Sequence, residues 1–176
     1  DLTVPPGTKV THPLEGLEFD ARVVERMLER GTYVTLTMGS ERAAIKLVDQ
    51  LSAEQRRAVE HYGPHFDMLR RTVRAGARFI AASDAGVSRT FFGEYALTLE
   101  VMVSRPDIPP MEALRATTGR AAEALGIADR VGALLPGRRG DVAVIEGDPL
   151  ADIRALRRVQ AVYRDGARLV EEGKLV

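Results

Sequence analysis

The strongest constraint on this chain is an alternation that runs through its first half. Lys9-Val10-Thr11 is a short β-type run that ends at His12-Pro13. Asp20 then stands where it can cap a helix over Ala21 to Arg30, with Val23, Val24, Met27 and Leu28 on one face and Glu25, Arg26, Glu29 and Arg30 on the other. Gly31 closes that helix, and the β-branched stretch Tyr33 to Met38 reads as a strand. Ser52 and Gln55 resemble a capping box opening a helix towards His61, which Gly63-Pro64 interrupts. A further helix runs to about Arg74 and is closed by Gly76. Arg78 to Ala82 is a strand that delivers Ser83 and Asp84 at its C-terminal end. Strands that alternate with helices call for crossover connections and a parallel sheet, whose sites lie at the C-terminal ends of its strands. His12 and Asp84 both occupy such ends.

Beyond Asp84 the pattern continues as a loop with Gly86 and Gly93, a helix over roughly Glu94 to Ser104, and a second from Met111 to Thr117 behind Pro109-Pro110. Gly119 to Leu125 extends the helical stretch, with Ala121, Ala122 and Leu125 expected inward. The texture then changes. Val142 to Ile145 reads as a short buried strand, and Val159 to Val170 alternates around Asp165-Gly166, a strong signal for a hairpin with a primed turn. The expected division is residues 1–127 and residues 128–176.

Charge and composition remove several function classes. The 176 residues carry 25 basic and 25 acidic side chains, a balance that steers the protein towards neither nucleic acid nor an anionic membrane. No apolar run approaches the roughly 18–20 residues that a membrane helix requires, and no secretory leader is visible, so a cytoplasmic location is the expectation. There is no cysteine, which excludes disulfides, thiolate metal sites and a cysteine nucleophile within these residues.

Asp84 is the sharpest chemical candidate. Ala85 and Gly86 place little bulk around its carboxylate, so a substrate or cation can approach it, and a carboxylate can bind a divalent metal or take a proton from a metal-bound water. On pattern alone, an aspartate before a glycine loop is more commonly a cap or turn residue. His12 offers an imidazole of the kind that ligates catalytic zinc, although an isolated histidine is more often hydrogen-bonded to backbone. His61 and His65 are four residues apart, but Pro64 disrupts the helix that would bring them onto one face, and they read as surface or connecting residues. There is no Gly-x-Ser-x-Gly elbow around Ser83 or Ser88, and no phosphate-binding loop.

These residues also resemble a known family. Phe79 to Gly86 looks like the eighth barrel strand of the amidohydrolase superfamily. Pro110 to Thr118, with Ala121-Ala122 and Leu125-Gly126, looks like the helices that follow it. Arg130 to Ile145, Gly147-Asp148-Pro149-Leu150 and the final hairpin resemble the return into a small β-domain. Residues 9–38 are similar to strands six and seven, with His12 at the strand-six position, and the closest flavour is imidazolonepropionase-like and prolidase-like. The resemblance implies an α/β fold: the C-terminal part of a (β/α)8 TIM barrel with part of a small composite β-sandwich domain. It also implies one or two divalent metals, usually zinc, with Asp84 binding metal and shuttling a proton, and His12 serving as a metal ligand. Arg89 and Tyr95, in and after the loop beyond Asp84, are candidates to meet substrate, beside the plainer readings of an exposed arginine and a packing tyrosine.

The family's first-strand His-x-His, strand-four lysine and strand-five histidine do not occur in these residues, and glycine stands at position 140 where the pattern usually has alanine. The expectation is therefore a catalytic site completed by an N-terminal half or a partner chain, acting on a small-molecule substrate. The leading reading is a hydrolase of C–N bonds in dipeptides, N-acyl amino acids or cyclic amides. The alternative is a non-catalytic scaffold or assembly fragment. Self-association into a homo-oligomer stays open.

Overall fold

The computed structural model describes residues 19–38, 63–86 and 91–176. The expected strand at Lys9 to Thr11, the capping box at Ser52, and His12, His61, Ser88 and Arg89 lie outside the described residues.

Helix α1 spans Ala21–Glu29 and begins where the sequence predicts. Asp20 holds an extended backbone and its carboxylate accepts from the Arg22 amide at 2.9 Å, meeting one of the donors that a helix start leaves unbonded. The side chain of Arg22 also donates to this carboxylate, and that bond, ahead of the amide's, holds the Asp20 carboxyl below its ordinary value. Gly31 then turns the chain at φ 64°, a conformation that suits a residue without a Cβ.

Strand β1 (Tyr33–Thr37) and strand β2 (Arg78–Ala82) pair in parallel along their full length, from Tyr33–Arg78 to Thr37–Ala82. The parallel arrangement expected from the alternation is therefore present. Side chains alternate across a strand, so Leu36, Phe79 and Ala81 turn to one face and are buried, with Val34 packed beside them. Helices α2 (Gly63–Arg74), α3 (Tyr95–Ser104) and α4 (Pro110–Thr117) supply Phe66 and Leu69, Val101 and Met102, and Ala113 and Ala116 to the same core. Burying a side chain such as Phe79 contributes about 1.5–3 kcal/mol. Gly63-Pro64 opens α2 rather than only interrupting a helix, since proline is well suited to a first turn where its missing N–H has no partner to lose. His65 sits half-buried in that turn.

Helix α5 (Gly119–Ala124) follows α4 after Thr118, and strand β3 (Val142–Ile145), strand β4 (Val159–Arg164), strand β5 (Ala167–Glu171) and strand β6 (Lys174–Leu175) form one antiparallel sheet in sequence order. The hairpin between β4 and β5 matches its prediction: Arg164 pairs with Ala167, and Asp165 and Gly166 have φ of 55° and 81°, the two positive angles of a type I′ turn. Gly140 lies against that turn. A Cβ there would stand 3.0 Å from the Gly166 nitrogen, so an alanine would force a small shift of backbone.

The architecture shown is the expected mixed α/β fold, with no closed barrel among the described residues. Two expectations need correction. Leu125 is 69% exposed rather than inward, and of the three residues placed inward on α5 only Ala122 is buried. Strand β3 is not buried: Ala143 and Val144 are exposed, as the faces of this sheet carry no buried residue among the described residues. Ala121, Leu125, Leu134 and Ala143 instead line an open apolar cleft of about 500 Å³. No described helix is long and apolar enough to cross a membrane.

Candidate functional site

The C-terminal end of β2 is where chemistry is expected, and the backbone there is unusual. Asp84 has φ 48° and Gly86 has φ 101°. A non-glycine residue in the left-handed region is uncommon, and aspartate is among the few side chains that tolerate it. The consequence is a sharp turn directly after the strand. The hydroxyl of Ser83 accepts a hydrogen bond from the Ala85 amide at 3.2 Å and braces that turn. The Asp84 side chain is exposed, and among the described residues no hydrogen bond or ion pair engages its carboxylate. Among the described residues its acceptor positions are thus unused.

The far wall of the turn is aromatic. The Phe92 ring lies over Gly86, with Cζ 3.8 Å from where a Cβ would stand, and Phe91 and Phe92 are 66% and 79% exposed. Tyr95 begins α3 and points the other way, into the core. Its hydroxyl donates to the Ala81 carbonyl of β2 at 2.8 Å, and burial pushes its pKa up to about 12. His12 and Arg89, the other two site candidates, lie outside the described residues.

A charged pair not anticipated from the sequence ties the two regions. Glu100 is 3% exposed in the middle of α3, and its two carboxylate oxygens accept from Nε and Nη2 of Arg157 in the 3₁₀ turn Ile153–Arg157. The hydrogen bond that Arg157 donates to Glu100 is the largest cause raising the Arg157 pKa. The signal was present as one acidic residue inside the apolar run Leu97 to Val103, since a charge in such a run requires a partner.

Comparison with known proteins now decides the family. The sequence profile described as "Amidohydrolase family" matches residues 5–169. The chain belongs to the amidohydrolase family. It is 35% identical over 105 residues to an imidazolonepropionase from Deinococcus deserti, an alignment covering 57% of this chain and 26% of that protein. Among solved structures it is similar to a Xaa-Pro dipeptidase with methionine bound in its active site, at 27% identity and a TM-score of 0.67, covering 85% of this chain and 37% of that one. It is likewise similar to the ochratoxinase of A. niger, at 26% identity and a TM-score of 0.68, covering 88% and 36%. This amidohydrolase chain thus spans little more than a third of the length of these solved relatives.

Metal dependence is common in the family, and the described residues bear on it in one respect. Asp84 is an oxygen donor of the type that binds divalent cations, held open at a strand end. Among the described residues no group of three histidine, aspartate or glutamate side chains is placed to hold an ion. Among the described residues Asp84 is thus a single exposed oxygen donor at this strand end.

Proposed function

We propose that this amidohydrolase acts in a hydrolase of C–N bonds in small molecules such as dipeptides, N-acyl amino acids or cyclic amides, and that Asp84 is its acid–base residue. The observation that carries this reading is the Asp84 carboxylate, exposed and unengaged among the described residues, on a left-handed turn at the C-terminal end of a parallel strand. In this reading Asp84 and His12 are the ligands that this chain contributes to a divalent centre, most simply zinc. The ion, when bound, lowers the pKa of a water molecule and polarises the substrate carbonyl. The work of Asp84 is proton transfer. Its Oδ takes a proton from the attacking water, the water oxygen bonds to the carbonyl carbon, and the C–N bond breaks as that proton passes to the leaving nitrogen. Coverage of about a third of the solved relatives supports the view that remaining ligands are supplied by other parts of the protein or by a partner chain.

The test uses the full-length protein, with bound metal measured alongside turnover of Ala-Pro, N-acetyl-L-alanine and hydantoin. Asp84→Asn keeps the shape and removes the base; turnover should fall about 10²–10⁴-fold, the usual range for a positioned acid–base group. Turnover by Asp84→Asn equal to that of the parent protein removes Asp84 from the mechanism.

A further inference from the structure

We infer that Tyr95 is a positioning residue whose hydroxyl, bonded to the Ala81 carbonyl, fixes the end of β2 and so sets where the Asp84 carboxylate stands. The inference rests on the role proposed for Asp84 and assigns how that role is held in place. The ladder between β1 and β2 ends at Thr37–Ala82, so the chain enters the Asp84 turn just where strand pairing with β1 stops. Ala81 lies three positions before Asp84 and is 8% exposed, so its carbonyl is poorly placed to turn to water. The bond it accepts comes from Tyr95, 14 residues further along the chain, whose ring is packed against the core of Leu36, Phe79 and Ala81. The tyrosine thus links the start of α3 to the last turn-ward stretch of β2. With its pKa pushed up to about 12, the phenol keeps its proton and stays a donor at any working pH.

Two side-chain bonds brace this corner: Tyr95 to the Ala81 carbonyl, and the Ala85 amide to Ser83. The second is internal to the turn. The first ties the last part of β2, just before the turn, to the start of α3. Asp84 sits in a backbone region that an aspartate leaves readily unless its surroundings hold it there. Misplacement by a fraction of an ångström is enough to reduce a reaction that depends on alignment.

The test is Tyr95→Phe in the full-length protein, which keeps the packed ring and removes the hydroxyl. For whichever of Ala-Pro, N-acetyl-L-alanine and hydantoin the parent protein hydrolyses, kcat should fall about tenfold with KM unchanged, the signature of lost alignment rather than lost binding. Hydrogen exchange of the amides of residues 83–86 should quicken in the same variant, with exchange in β4 and β5 unaltered. Parent-like kcat and parent-like exchange overturn the proposal, and so does a fall in thermal midpoint with kcat of the folded protein intact. Asp84→Asn is run in parallel. If it is inactive while Tyr95→Phe is normal, the positioning claim alone fails. If Asp84→Asn is as active as the parent, or none of the three compounds is hydrolysed, the proposed function fails, and exchange over residues 83–86 still decides whether Tyr95 holds the turn.

Discussion

The parallel-sheet region and the C-terminal sheet are built from similar apolar residues but stabilised differently. In the first, β1, β2, α2, α3 and α4 converge on one core in which Met38, Val101, Met102, Ile108, Ala113 and Ala116 are essentially inaccessible. In residues 128–176 the buried residues are Ile153 and Ala155, both in the 3₁₀ turn, and no strand residue of β3 to β6 is buried. The first region is held by packing. The second is held by its ladder and turns, and by the Glu100–Arg157 pair that anchors its 3₁₀ turn to α3. The catalytic candidate sits on the packed side, which suits a carboxylate that has to be held in a fixed place.

That contrast is most severely tested by truncating one apolar side chain to alanine in each region. Met102→Ala should lower stability by about 2–5 kcal/mol, because the site is closed and its neighbours cannot collapse fully. Val144→Ala, on the edge strand, should change it by no more than about 0.5 kcal/mol. Denaturant midpoints of the full-length protein measure both, and comparable losses would break the distinction.

The link between the regions comes next. Arg157→Leu leaves the Glu100 carboxylate buried without its guanidinium, and because Arg157 is itself half exposed the expected loss is about 2 kcal/mol. Proteolysis of residues 142–176 should accelerate in this variant before the core residues become accessible. Uniform proteolysis along the chain would show that the pair does not set the boundary. Gly166→Ala should cost about 1 kcal/mol, since φ 81° is disfavoured for any residue with a Cβ, and amide exchange in β4 and β5 should report it while β2 stays protected.

The smallest effect is electrostatic and lies within the packed region. Glu112 on α4 accepts from Arg120 at 2.6 Å, and this bond, ahead of the opposing desolvation, holds the Glu112 carboxyl below its ordinary value of 4.5. A depressed carboxyl contributes stability above its unfolded pKa and loses it as pH falls through the folded one. Between pH 5 and pH 3, as rough bounds on that window, Glu112→Gln should therefore lose less stability than the parent, by ~0.5 kcal/mol. Parallel pH profiles for the two proteins would show the pair to be neutral.

Much of the packed region was legible because its signals are local. The cap at Asp20, the glycines at 31 and 76, the β-branched run at Tyr33 and the apolar run ending at Ala82 each act through neighbouring residues, and α1, β1, β2 and the I′ hairpin appear at or within a residue of their predicted bounds. The exposure of Leu125, Ala143 and Val144 was not legible. An apolar residue on a short element shows that a face wants cover, but not whether cover is present. At the candidate site, the end of β2 and the turn after it were legible from Ala85-Gly86 and from the strand before them. The partner of Tyr95 was not, because a hydroxyl reaching 14 residues back to a backbone carbonyl leaves no periodicity in the sequence.

The central claim concerns the Asp84 carboxylate, and locating the metal tests it most directly. Anomalous diffraction at the zinc edge from crystals of the full-length, zinc-loaded protein should place an ion about 2.0–2.2 Å from an Asp84 Oδ, the bonding distance of a carboxylate ligand. A fully occupied, catalytically competent ion bound elsewhere, with the Asp84 carboxylate turned away from it, would contradict the account.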